Sequence, residues 1–342
     1  MLLCSSPSLY NFNLPFFVRL LIQHSLGFTK LDVASAWLTS ARLARKANFT
    51  TTAFNSVLHA AQLGDDAAKI EHSRLLWKDG HHRKAIQNLE GAITSNAFES
   101  FDIGPLENSM NVTVDQQQSH NKLTARAHLL LAKWLDRAGQ TKSHLLKDKY
   151  STGVIAFARW DKGHYYLGRH YNKILESEKS LPRNKQSMSF LCGETAKLVI
   201  ENYTRSMVYG SKYYYQTVPK VLTLWLDLGM EVHTANQRPN VEPNLAAQRS
   251  KYLEAIHRHL RKYMTERLPA YTWYTAFPQI ITRISHPNKS VYDVLSAIII
   301  KVASKYPQQA LWSLLPVPKS TAHDRASRGT QLLLKLKVSI VN

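Results

Sequence analysis

From Leu31 onward the apolar residues of this chain recur at intervals of three and four, and hardly any stretch alternates apolar with polar at a period of two. The first spacing lines one face of an α-helix, whereas a half-buried strand needs the second, so the pattern restricts the chain to an all-α fold. The segment 206–229, SMVYGSKYYYQTVPKVLTLWLDLG, is the plainest case: Val218, Val221, Leu222, Trp225 and Leu226 fall at i, i+3, i+4, i+7 and i+8. Pro219 is expected in the first turn of that helix, where a backbone N–H lacks a partner in any case. Gly229 is expected at its left-handed C-terminal end. A second stripe, Val291, Val294, Leu295, Ile298, Ile299 and Val302, must stop before Pro307.

The same spacing predicts helices over about 32–46, 51–64, 67–78, 82–95 and 122–138, then over 163–177, 186–210, 211–228, 246–267, 271–285, 290–305 and 307–315. Clusters of turn-forming and polar residues predict loops over 100–121, 178–185, 233–244 and 315–330. The unit 75–93, LLWKDGHHRKAIQNLEGAI, places a large aromatic, a glycine turn and a second helix with the small Ala85 in succession. Trp160 to Gly163, followed by Tyr166, Leu167 and Tyr171, forms a second such corner. Hairpins of this kind bury their apolar face only by stacking on the next, so the expected architecture is an α-solenoid of tetratricopeptide-like or HEAT-like helical hairpins.

A length of 342 residues with 44% hydrophobic side chains suffices for a real core and excludes global disorder. The two cysteines, Cys4 and Cys192, suit neither a disulfide framework nor a zinc site, which favours a reducing compartment. The first 28 residues are apolar, but Asn11, Asn13, Pro15 and Arg19 interrupt them, so neither a signal peptide nor a membrane span is expected. The Asn-x-Ser/Thr sequons at Asn48, Asn111, Asn202 and Asn288 are read as chance. A formal charge of +20 permits attraction to nucleic acid or to an acidic partner without locating a site.

Four blocks carry a family resemblance: WLTSARLARK at 37–46, WDKGHYYLGRHYNKIL at 160–175, the segment 206–229, and YPQQALWSLLPVPKS at 306–320. In that order they resemble the FAT region of ATR-type phosphatidylinositol 3-kinase-related protein kinases. The resemblance runs from about Leu31 to about Ser320. It divides the chain into an unplaced N-terminal segment 1–28, a FAT-type helical-repeat domain 29–320, and a C-terminal loop with the start of a truncated helix over 321–342. The resemblance implies a noncatalytic scaffold that supports and regulates the kinase domain of the same parent chain. By the same token it implies a nuclear serine/threonine kinase of the DNA-damage and replication checkpoint, with a dedicated regulatory subunit as partner. ATP and magnesium would belong to the kinase domain, and no cofactor is expected in this chain.

The residues themselves assign no catalytic, cofactor-binding or metal site. No G-x-G-x-x-G, no Asp-Phe-Gly and no catalytic-loop Asp with a suitably spaced Asn occurs. His323-Asp324-Arg325 resembles a catalytic-loop fragment only superficially and is expected in a loop. The fifteen histidines include no His-x-x-x-His pair with a Glu in the zinc-protease arrangement, and His257-Arg258-His259 places neighbours on different sides of a helix. What stands out is a basic helix in which Tyr252, Leu253, Ile256, Leu260 and Tyr263 form the core stripe and Arg258, Arg261, Lys262 and Arg267 point away from it. Those four cations make a candidate contact face, either an ordinary solvated helix side or a surface for phosphates or an acidic helix. They permit a second functional reading, in which the chain is a free-standing helical-repeat module that binds nucleic acid or an acidic protein through this face.

Overall fold

The computed structural model describes residues 21–22, 27–98, 114–139, 141–237 and 243–341, and among them every regular element is helical. The expectations for 1–20, 23–26, 99–113 and 238–242 lie outside the described residues. No helix among the described residues is long and apolar enough to cross a membrane. The chain divides into two compact units, 1–157 and 158–342.

The first unit contains α1 (Lys30–Lys46), α2 (Thr50–Gln62), α3 (Ala67–Lys78), α4 (His82–Thr94), α5 (Val114–Ala138) and α6 (Ser143–Ala156), each packed on the next. A capping box starts α1: the Asp32 N–H donates to Thr29 Oγ1, and the Thr29 N–H donates to Asp32 Oδ2 at 2.9 Å. Helices α1 to α4 all end the same way, on a left-handed residue two positions past the helix: Asn48, Gly64, Gly80 and Asn96. In each case the following N–H returns to the carbonyl five residues back, pairing Phe49 with Ala44, Asp65 with Ala60, His81 with Leu76 and Ala97 with Ala92. This closure satisfies carbonyls that a helix end otherwise strands and turns the chain sharply.

Small residues let these hairpins approach closely. Ala41, Ala44, Ala53, Ala60 and Ala68 pack with Leu38, Val57 and Leu75 in one core cluster, while Ala85, Leu89, Ala127, Leu131 and Trp134 form a second. Trp77 stacks flat on Trp134 at 4.7 Å between ring centroids.

The second unit contains α7 (Asp161–Lys179), the short α8 (Met188–Leu191), α9 (Glu194–Tyr209), α10 (Tyr214–Gln237), α11 (Pro243–Glu266), α12 (Ala270–Tyr274), α13 (Phe277–Thr282), α14 (Lys289–Lys305), α15 (Pro307–Leu314) and α16 (His323–Val341). Helix α9 packs on α7, α10 and α11, and α14 packs on α11, α12, α13, α15 and α16. The α14 stripe from Val291 to Val302 is buried as its spacing predicts, and so are Val218, Val221, Leu222, Trp225 and Leu226 on α10. Asn288 caps α14 through its side chain, which accepts from the Ser290 N–H at 3.0 Å.

Several local expectations are corrected. Helix α10 begins at Tyr214, so Pro219 sits inside it and not in its first turn. The carbonyl that thereby loses its donor belongs to Tyr215, which is 81% exposed. Gly229 does not end the helix, which continues to Gln237 through residues expected in a loop. A Cβ at Gly229 would lie 2.6 Å from Val291 Cγ2, so its role is close approach to α14.

In this second unit it is Gly193 that adopts the left-handed conformation, and it breaks the predicted 186–210 helix between α8 and α9. The 271–285 segment is likewise two helices, with Thr275 and Ala276 between them. Helix α5 takes in residues 114–121, including the Gln116–Gln118 run expected in a loop, because glutamine is a good helix former. Helix α6 has no counterpart among the predicted helices. The predicted 315–330 loop is replaced from His323 onward by α16.

Candidate functional site

On α11, Leu245, Leu253, Ile256, His257 and Leu260 are buried, and Tyr252 and Tyr263 are half-buried. Arg258, Arg261 and Lys262 lie exposed at i, i+3 and i+4, which puts them on one side of the helix near its C-terminal end, where positive charge meets the negative end of the helix dipole. Arg267 follows in the turn after α11. Its N–H donates to the Tyr263 carbonyl at 3.0 Å, and its guanidinium lies 5.6 Å from the Tyr263 ring centroid. The four sequence-predicted cations are therefore brought to one end of one helix.

The neighbouring histidines do not add charge. Burial, helped by the nearby Arg261, pushes the His257 pKa down to about 4. Burial, helped by Arg205, Lys197 and Lys262, pushes that of His259 down to about 4. Both are neutral at pH 7. Trp225 meets the His257 ring edge-on at 5.8 Å, so that imidazole belongs to the core. Among the described residues no three His, Cys, Asp or Glu side chains gather as a metal site would require.

Beside this face runs a groove of about 1020 Å³, lined by Arg261, Leu268, Tyr271, Ile300, Lys301 and Tyr306 among others. Lys301 Nζ donates to the Leu268 carbonyl at 2.9 Å, and burial lowers its pKa. His323, Asp324 and Arg325 occupy the first turn of α16, where Arg325 Nη1 donates to the Thr282 carbonyl at 3.4 Å. That placement gives the triplet a helical, structural setting in place of the loop expected for it.

Sequence reasoning missed a second basic constellation, in the first unit. Glu71 on α3 is buried with its side chain 2% exposed. Arg45 Nε on α1 reaches its Oε1 at 2.5 Å, and Arg74 Nη1 reaches its Oε2 at 3.3 Å. Arg42 Nε stands off at 3.9 Å from Oε2. Arg126 on α5 is close enough that Arg74 and Arg42 help burial to lower its pKa, opposed by Glu71 and Asp65. The i, i+3 spacings Arg42–Arg45 and Glu71–Arg74 are the only trace of it in the sequence.

The chain superposes on the FAT and kinase domain of CtTel1 with a TM-score of 0.60 and 12% identity, covering 89% of this chain and 22% of that one. The open conformation of CtTel1 gives a TM-score of 0.59 at the same identity and coverage of this chain, with 12% of that chain covered. These likenesses show the fold, a helical solenoid.

The FAT domain family matches residues 18–223, and the family of ATR-like serine/threonine-protein kinase HEAT repeats matches residues 255–341. Protein kinase rad3 of Schizosaccharomyces pombe is 34% identical over 92% of this chain. The serine/threonine-protein kinases ATR of Drosophila melanogaster and Arabidopsis thaliana are 30% and 26% identical over 89% and 88% of it. The chain belongs to the FAT family, in the branch of ATR-type phosphatidylinositol 3-kinase-related protein kinases. It spans 13% of the length of the rad3 relative, and 11% and 12% of the other two.

Proposed function

We propose that this chain is the noncatalytic FAT scaffold of an ATR-like serine/threonine kinase of the DNA-damage and replication checkpoint, supporting and regulating the kinase domain of the same parent chain in the nucleus. The observation that carries the reading is the 34% identity to protein kinase rad3 across 92% of the chain. The packing supports it: Gly168 lets Tyr203 of α9 approach α7, and Gly229 lets Val291 of α14 approach α10, closures that hold helices in fixed register. A rigid array of this kind transmits partner binding as a shift between discrete arrangements. On this reading ATP and magnesium belong to the kinase domain, and the regulatory subunit of the ATR-type complex is the partner through which regulation arrives.

An immunoblot of the native source with an antibody against the segment 216–229, with peptide mass spectrometry of the excised band, tests the reading. A band several times larger than 39.0 kDa that contains kinase peptides is expected, and a band at 39.0 kDa alone overturns it.

The exposure of Arg258, Arg261, Lys262 and Arg267 favours a second reading, a free-standing module that binds nucleic acid or an acidic protein through that end of α11. A salt titration of DNA binding discriminates. A steep salt slope that is abolished on replacing Arg258, Arg261 and Lys262 by Ala favours this module, and no binding at low salt removes its nucleic-acid form.

A further inference from the structure

We propose that the groove between α12 and α14 docks one acidic amphipathic helix of a partner protein, with apolar side chains on Leu268, Ala297 and Ile300 and carboxylates beside Arg261 and Lys305. The proposal rests on the acidic-protein form of the second reading and deepens it. The contact moves from the exposed side of α11 into a shaped site that shares Arg261.

The shape comes from one side of one helix. Ala297, Ile300, Lys301, Ser304 and Lys305 all line the groove and fall at i, i+3, i+4, i+7 and i+8 on α14. The buried stripe from Val291 to Val302 occupies a different side, so α14 serves the core and the groove at once. At 1.5 Å per residue this wall is about 12 Å long, the rise of roughly two helical turns. The facing wall is Leu268 with Ala270 and Tyr271 at the start of α12. Lys301 Nζ reaches across to the Leu268 carbonyl at 2.9 Å and ties the two walls together. A preformed trough of that length fits a helix that presents anchors at i, i+3, i+4 and i+7.

Chemistry then selects the occupant. At about 1020 Å³ the groove stands at the upper limit for small-molecule sites, and its floor offers aliphatic side chains where such a site presents convergent polar groups. A nucleic-acid strand needs open aromatic faces for its bases, whereas the rings here are turned to neighbours. Tyr271 lies 6.0 Å from Tyr214 and Tyr306 lies 6.2 Å from Tyr274, between ring centroids. Among the described residues that line the groove are three cations and no carboxylate, and Arg261 and Lys305 are exposed. An apolar floor with a positive rim complements a leucine-type helix face flanked by Asp and Glu. A second copy of this chain meets repulsion from its own formal charge of +20.

The test measures fluorescence anisotropy on the full chain. The probe is a fluorescein-labelled peptide of about 16 residues, long enough to form a helix, with leucines at i, i+3, i+4 and i+7 and glutamates on the flanking positions. Saturable binding is expected for this peptide and not for a scrambled one of the same composition. Ile300→Asp should weaken binding by at least about tenfold by placing a carboxylate on the apolar floor. Lys305→Glu, at an exposed position that leaves the core intact, should weaken it about fivefold, and a peptide with lysines in place of the glutamates should recover that loss. Damage to the fold cannot produce such a reversal. Equal binding of the scrambled peptide, no binding, or binding indifferent to both variants overturns the proposal. Loss on replacing Arg258 and Lys262 by Ala, with Ile300→Asp unaffected, also overturns the groove while leaving the second reading standing on the exposed side of α11. Tighter binding of single-stranded oligothymidine that both variants weaken assigns the groove to nucleic acid, and self-association of the chain that Ile300→Asp abolishes assigns it to a second copy; either result overturns the proposal.

Discussion

Replacing Trp225 by Ala tests the packing of the second unit most directly. Trp225 is 0% exposed on α10, bordered by the α10 stripe residues and the edge-on ring of His257. Burial of about 200 Å² of indole at about 25 cal/mol per Å² gives about 5 kcal/mol. Large-to-small substitutions in real cores cost about 3–5 kcal/mol for Trp→Ala, depending on how far the cavity collapses. The indole makes a sharper second comparison possible, because Nε1 is buried with no hydrogen-bond partner among the described residues. Trp225→Phe keeps most of the apolar contact and removes an unsatisfied donor, so it should cost about 1–2 kcal/mol, well below the alanine variant. Urea unfolding followed by far-ultraviolet circular dichroism, which does not depend on the tryptophan signal, measures both. A loss below about 1 kcal/mol for the alanine variant refutes the burial argument. Equal losses for Phe and Ala refute the claim that the N–H is unpaired.

Enlarging Gly229 to Val should separate α10 from α14, since even a Cβ would sit 2.6 Å from Val291 Cγ2. The expected cost is about 2–3 kcal/mol, partly recovered in a Gly229→Val, Val291→Ala double variant measured by the same urea method. His257 and His259 stay neutral in the fold down to about pH 4, while in the unfolded chain they take up protons near pH 6.5. The unfolded state therefore binds more protons between those limits, so stability should fall as pH drops from about 6.5 to about 4, and His257→Gln should flatten the profile of unfolding temperature against pH. Replacing Glu71 by Gln removes the charge that Arg45 and Arg74 contact, and should cost about 3 kcal/mol, the lower end for a broken buried pair because those arginines keep some solvent contact. Guanidinium unfolding of that variant beside the unmodified chain measures the loss.

The elements legible in the sequence are those whose own side chains fill the core. Val291 to Val302 and Val218 to Leu226 are visible because each stripe is dense, and Ala85 because a small residue after a glycine turn marks a close hairpin. Helix α6 escapes because it buries little of its own: Leu146, Tyr150 and Gly153, the last lying where a Cβ would be 3.3 Å from the Ala125 carbonyl oxygen. Packing through a missing side chain leaves no apolar period to detect. Pro219 and Gly229 mislead for a related reason. Local rules read them as helix boundaries, whereas α10 tolerates the proline beside exposed Tyr215 and uses the glycine for contact with α14.

The same division applies to the charged groups. Arg258, Arg261 and Lys262 share one side of α11 because a single helix defines it, and that much the local spacing encodes. The Arg45 contact with Glu71 joins residues 26 positions apart on different helices, a separation that no local pattern encodes.

The four matching closures at Asn48, Gly64, Gly80 and Asn96 make the corners of the first unit self-sufficient. Each corner is specified by about six consecutive residues, so its geometry needs no distant contact to be set. Nucleation can therefore start at any hairpin and spread to its neighbour, and the order of assembly during synthesis on the ribosome need not be the order of stability. A residue inserted at one corner would shift the phase of the helix it precedes while leaving the other three corners to form as before. Lineages that vary this unit should then do so by whole hairpins, since only a complete hairpin preserves the phase of the helices beyond it.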